Sequence, residues 1–342
     1  MEAPVLERIR TGLAEKRVGL TDWLRITPSH KKRVLLGPST EQVVYAHLGI
    51  LDNAIEKAET GSLGRCDVCQ DFVEPELLEI DYSACVCITH FSEEEVRQLE
   101  TELELTQSVQ KTLLPQEIPN IPNLEIAAFN RPAQIVGGDY FDFIKIGKGT
   151  HCLAIADVAG HGVSASLYMA SIQAMLHSVG PVNHSPAEVL RQIDKLFIHN
   201  IRFNTFVTFF IGVYDPAAKT LTYSNAGHNP PLVLQERKNG KESIVWLNPT
   251  GAAIGLVEEA EFGEKSFAFQ EGDLLVMYTD GVTEAVNKQD EMFGSKRLAA
   301  ITQQLQQSTP VDVIQGIRAG LEEFSGGKPF ADDITVVVCR VT

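Results

Sequence analysis

Cys152-Leu153-Ala154-Ile155-Ala156-Asp157-Val158-Ala159-Gly160-His161-Gly162 is an apolar extended run that ends on an acid and turns at once through two glycines. The run Cys152–Asp157 predicts a strand, and the pattern from Val163 to about His177 predicts a helix. An acid that closes a hydrophobic strand just before a glycine turn is badly placed for packing. It is well placed to project into a cleft. Upstream, Leu124–Phe129 and Tyr140–Ile146 read as strands. Downstream come a helix from Pro186 to about His199 and strands at Phe206–Tyr214, Leu221–Ser224, Leu232–Gln235 and Ile244–Leu247, with Asn239-Gly240 as a hairpin turn. Leu274–Tyr278 reads as a buried strand. Helices at about Lys296–Gln307 and Val311–Phe324 precede a last strand, Ile334–Val341. Strand blocks interrupted by helix pairs predict an α+β fold, a β-sandwich with helices outside.

Three further aspartates share the setting of Asp157. Asp139 lies in Val136-Gly137-Gly138-Asp139-Tyr140-Phe141-Asp142, Asp280 in Tyr278-Thr279-Asp280-Gly281-Val282, and Asp332 in Ala331-Asp332-Asp333-Ile334-Thr335-Val336-Val337. Singly, Asp-Gly and Asp-Asp are ordinary turn chemistry. Four such acids at strand ends are what hard divalent cations require: several oxygen ligands from separate elements. A paired metal site can activate water and hold phosphoryl oxygens.

These blocks, with Asn225-Ala226-Gly227-His228-Asn229-Pro230-Pro231 between them, occur in an order that resembles the bacterial metal-dependent, PP2C-like protein phosphatases of the SpoIIE/RsbU type. The resemblance covers residues 118–342 and implies a serine/threonine phosphatase with two Mn²⁺ or Mg²⁺ ions. It implies that Asp157 bridges both ions, that the Val158 carbonyl adds a ligand, that Asp139 binds one metal, and that Asp280 and Asp332 hold the other. Asp333 is an outer candidate. His161 is expected to shape the glycine loop and His228 to hold a loop near the site. The implied substrate is a phosphorylated regulatory protein, a STAS-type anti-sigma-factor antagonist.

The N-terminal third has a different texture. Residues 1–60 are mostly helix-like, with Leu51, Ile55 and Ala58 at helical spacing before Gly61-Ser62. Four of the six cysteines, Cys66, Cys69, Cys85 and Cys87, then crowd together, which in a reducing compartment argues for metal rather than disulfides. Cys66-x₂-Cys69 followed by Cys87-x₂-His90 offers a tetrahedral Zn²⁺ set, with Cys85 as the alternative fourth ligand. The segment is similar to the zinc finger of the DksA/TraR family. A closed site of this kind serves folding or sensing rather than catalysis. Cys152 and Cys339 read as small core hydrophobes.

From Ser92 a capping box, Ser92 with Glu95, opens a helix that ends at Pro115. Val96, Leu99, Leu103, Thr106, Gln110 and Leu113 form its stripe, which suits self-pairing through Leu99 and Leu103 or docking on the catalytic surface. The expected organisation is a helical region with a zinc finger over 1–91, a linker helix over 92–117 and the phosphatase domain over 118–342. A net charge of −16 argues against direct nucleic-acid binding, and the basic run His30-Lys31-Lys32-Arg33 reads as a solvated face. The start lacks an apolar signal core and no run is long enough to span a bilayer, so a cytoplasmic location without membrane attachment is expected. The competing reading is a zinc-finger regulator whose phosphatase-like domain serves only as a binding scaffold.

Overall fold

The computed structural model describes residues 3–28, 41–74, 77–78, 84–147, 149–160, 162–200, 205–236, 242–257 and 259–342. His30–Arg33 and the Asn239-Gly240 turn lie outside the described residues. The chain forms two compact units, Met1–Glu102 and Leu103–Thr342.

In the first unit, α1 (Ala3–Ile26) and α2 (Glu41–Glu59) pack through Leu13, Leu51, Ala54 and Ala58. A turn at Gly61, in the left-handed region that glycine adopts freely, leads into the cysteine segment. There Cys66, Val73, Leu78 and Cys87 make a second small core. A helix α3 (Glu93–Leu113) begins at the end of this unit. Ser92 caps it as the sequence predicts: its Oγ accepts from the Glu95 amide at 3.2 Å, and its own amide donates to the Glu95 carboxylate at 2.8 Å.

The second unit is built on ten strands. They are β1 (Leu124–Arg131), β2 (Tyr140–Ile146), β3 (Thr150–Val158), β4 (Val207–Asp215), β5 (Thr220–Ala226), β6 (Leu232–Glu236), β7 (Glu242–Trp246), β8 (Lys265–Ala268), β9 (Leu274–Tyr278) and β10 (Ile334–Val341). They form two antiparallel sheets, ordered β2-β3-β4-β5-β8 and β1-β10-β9-β6-β7. Helices α4 (Gly162–Val179) and α5 (Pro186–Asn200) cover the first sheet. The short helix α6 (Asp280–Glu284), α7 (Gly294–Gln304) and α8 (Pro310–Ser325) pack against the second.

Both faces of the central strands are therefore buried, which is why they read as unbroken apolar runs rather than alternating ones. Along β3, Cys152, Ala154, Ala156 and Val158 face the helices. Leu153 and Ile155 face the opposite sheet, where they join Phe210, Leu275, Met277, Val337 and Cys339. Each large side chain buried this way contributes about 1.5–3 kcal/mol. The alternation has a consequence for the site. Asp157 continues the Leu153–Ile155 parity, and Thr335 continues that of Val337 and Cys339, so both lie on the side between the sheets at one end of the sandwich.

Candidate metal centres

At that end the carboxylates converge. Asp157, half-buried, donates a hydrogen bond to the Asp280 carboxylate when it holds a proton. Asp332 bears on both electrostatically. Asp139 is buried, and its Oδ2 accepts from the hydroxyls of Thr279 at 2.8 Å and Thr335 at 2.6 Å. An acid of the first sheet is thus held by two threonines of the second. Asp333 turns away from solvent and accepts from the amides of Ala133 at 2.7 Å and Gly138 at 2.6 Å, fixing the loop that presents Asp139.

Two glycines make this convergence possible by close approach. A Cβ on Gly138 would stand 2.9 Å from the Val158 carbonyl oxygen, the backbone ligand candidate. A Cβ on Gly281 would stand 2.0 Å from the Asp333 carbonyl and press the Asp332-Asp333 turn away from Asp280. Behind the first of these loops, α3 contributes Gln110. Its carboxamide donates to the Gly137 carbonyl at 2.5 Å and accepts from the Gly137 amide at 3.2 Å, while Gln107 donates to the Ile135 carbonyl at 3.1 Å.

His228 sits in a locked turn. Its amide donates to Asn225 Oδ1 at 2.8 Å, and its ring Nδ1 lies 2.7 Å from the Thr208 hydroxyl, which reaches the Asp157 carbonyl at 3.5 Å. Burial holds the ring neutral, its pKa down to about 4. His161 lies outside the described residues. Sequence reading missed Thr279, Thr335 and Gln110. The threonines stood inside quoted motifs, but nothing local marks a hydroxyl whose partner is far away in the chain.

The electrostatics fit a cation site. Burial first, then Asp280, Asp332 and Asp333, lift the Asp157 carboxyl from an ordinary 3.8 to about 8. Burial and Asp332 lift Asp280 to about 6, and burial with Asp157 lifts Asp139 well above the carboxylate range. Among the described residues, no lysine, arginine or histidine forms an ion pair with these acids.

A pH dependence follows. With folded pKa values above the unfolded ones, the metal-free protein binds more protons folded than unfolded. Its stability therefore falls as pH rises from about 4 and levels off above about 8. Thermal melts across about pH 5 to 9 are expected to show this slope without metal and a much flatter one in Mn²⁺. An equal slope in both conditions would remove the cation assignment.

In the first unit, the ligand atoms of Cys66, Cys69, Cys87 and His90 all lie within 4.8 Å of one another. Cys85 lies outside that group, which separates the two alternatives for the fourth position. Burial works against the Cys66 thiolate. The backbone N–H groups of Cys69, Cys87 and Val68 outweigh it and bring the thiol down to about 6. A thiolate held by backbone amides is the donor that soft tetrahedral metals take.

Two facing sheets between helix pairs, with acids gathered at one end, define a PP2C-type phosphatase domain. The fold is similar to the SiaA-PP2C domain of Pseudomonas aeruginosa, with a TM-score of 0.63 and 21% identity over 72% of this chain and 99% of that one. It is also similar to the RsbU and RsbW domains of Rv1364c from Mycobacterium tuberculosis, with a TM-score of 0.57 and 26% identity over 67% of this chain and 63% of that one. The profile described as Stage II sporulation protein E (SpoIIE) matches residues 147–342, and the chain belongs to this family of PP2C-type protein phosphatases. Among named relatives, Phosphoserine phosphatase RsbU of Bacillus subtilis is 27% identical over 71% of each chain. Phosphoserine phosphatase RsbP of the same organism is 29% identical over 54% of this chain, which spans 45% of that protein.

Proposed function

We propose that this protein removes phosphate from serine or threonine of a folded regulatory protein, a STAS-type anti-sigma-factor antagonist, in the cytoplasm. The observation that carries the reading is the meeting of Asp157, Asp280 and Asp332 at the mouth of the sandwich, with no described cation to neutralise them. Asp139, Asp157, the Val158 carbonyl, Asp280 and Asp332 would hold two Mn²⁺ or Mg²⁺ ions. Such ions supply Lewis acidity toward phosphoryl oxygens and lower the pKa of water. The residues of this chain set the geometry. Thr279 and Thr335 fix Asp139, Asp333 fixes the loop before it, and Gly138 leaves the Val158 carbonyl open to a ligand. Among the described residues, no helix is long and apolar enough to cross a membrane. The deciding experiment is Mn²⁺-dependent release of phosphate from a phosphorylated STAS-domain protein encoded in the same genome. Absence of release at saturating metal would leave the scaffold reading standing.

In the same reading Cys66, Cys69, Cys87 and His90 bind one Zn²⁺ that shapes a regulatory module, and α3 carries its influence to the catalytic unit. The chain acts as a homodimer with Leu99 and Leu103 at the seam. Leu99 is 39% exposed and no described residue of α3 is buried, so this face has room for a partner. Leu99→Glu with Leu103→Glu is expected to halve the mass seen by light scattering and to lower the metal-dependent rate. An unchanged mass and rate would make the helix a passive spacer.

A further inference from the structure

Beside the cysteine segment, wholly within the first unit, a cavity of about 350 Å³ opens between α2 and the loops at 62–65 and 84–85. Its wall has an apolar part, with Ile50 and Leu63, and a polar part, with Asn53, Lys57, Ser62 and Arg65. None of its lining residues is acidic, in a chain that carries 45 acids against 29 lysines and arginines. Two positive side chains have therefore been kept together and clear of carboxylates in a strongly negative protein. Among the described residues no carboxylate pairs with Lys57.

Arg65 is pre-positioned. Its guanidinium lies 5.2 Å from the centre of the Phe72 ring, and one of its N–H groups reaches the Gln70 carbonyl at 3.4 Å. That leaves further donors of the planar fork for an oxyanion. Cys85 closes the cavity on the other side and stands outside the four-residue metal cluster. Its carbonyl accepts from the Asp67 amide at 2.7 Å, next to Cys66 in sequence.

We propose that this cavity is the input site of the regulatory module and takes a small phosphate monoester or phosphonate with a compact apolar body. The charge count selects the class: a phosphate group carries about −1.5 to −2 at neutral pH and is matched by Lys57 and Arg65 together, whereas a carboxylate would leave one cation unbalanced. The apolar body lies against Ile50 and Leu63. A ligand held at both ends ties α2, through Lys57, to Arg65 and so to the neighbouring Cys66. The proposal is independent of what the catalytic unit hydrolyses.

Because the catalytic centre also attracts phosphate, the test reads the cavity locally. In the full zinc-loaded chain, alkylation of Cys85 by N-ethylmaleimide is followed by mass spectrometry, with the Cys66, Cys69 and Cys87 peptides as internal controls. Phenylphosphonate, which phosphatases do not hydrolyse, is expected to slow Cys85 labelling, and benzoate at equal concentration is not. Lys57→Gln or Arg65→Gln, each losing one charge-assisted contact, is expected to raise the half-protecting concentration about tenfold or more with zinc content unchanged. If Cys85 labels too slowly, the amide shifts of Gly49 and Gly64 in NMR read the same titration. No protection and no shift with phenylphosphonate, an equal response to benzoate, or a full response in the Lys57→Gln/Arg65→Gln double variant would each overturn the proposal.

Discussion

Asp157→Asn is expected to lower metal-dependent phosphatase activity by at least about a thousandfold, equivalent to roughly 4 kcal/mol of transition-state stabilisation. The same change is expected to make the metal-free protein more stable. Asp157 is crowded by Asp280, Asp332 and Asp333 and keeps its proton up to about 8, so at neutral pH an amide removes repulsion and keeps a donor toward Asp280. A melting temperature raised by about 2–4 °C, corresponding to ~1 kcal/mol in a unit of this size, is the expected sign. The pair of outcomes is the diagnostic, because a residue that merely supports the fold would lose activity and stability together. Near wild-type turnover at saturating Mn²⁺ would sink the metal assignment.

Cys66→Ser is expected to abolish zinc binding and unfold the first unit while leaving the second folded. Structural zinc sites in small modules contribute on the order of 10 kcal/mol at neutral pH, more than a cluster of four buried residues can replace. The sandwich has its own three cores, built from residues of the second unit, and none of them depends on the cysteines. Elemental analysis should find about one zinc per chain in wild type and none in the variant. Limited proteolysis should then clip the first unit and spare a fragment beginning near Leu103. His90→Ala should weaken zinc retention and Cys85→Ala should not, since only His90 stands with the other three ligands. Zinc-free protein, prepared without chelator and still resistant to protease, would remove the module from the account.

Much of the sandwich was legible because its central strands are buried on both sides and so stand out as apolar runs. The strand β8, Lys265–Ala268, was not, because its side chains are exposed or half-buried and it pairs only along β5 at a sheet edge. The short helix at Asp280–Glu284 was hidden by Asp-Gly, which reads as a turn. The acids of the site were visible as strand-end aspartates. What orders them was not, because Thr335 reaches Asp139 across the sandwich and Asp333 reaches Ala133 and Gly138 from the far end of the chain. Periodicity reports which face a residue takes and carries nothing about a partner two hundred positions away.

The contact between Gln110 and Gly137 is reciprocal: one carboxamide both gives to and takes from a single backbone unit, as a neighbouring strand would. A carboxylate could not give and an amine could not take, so charge alone cannot replace it. Successive residues of a helix point about 100° apart. A turn of α3 by one residue would therefore bring Lys111 or Val109 to Gly137 and lose both bonds at once, whereas a small slide along the axis would only stretch them. The loop that presents Asp139 is thus sensitive to torque on the helix more than to pull.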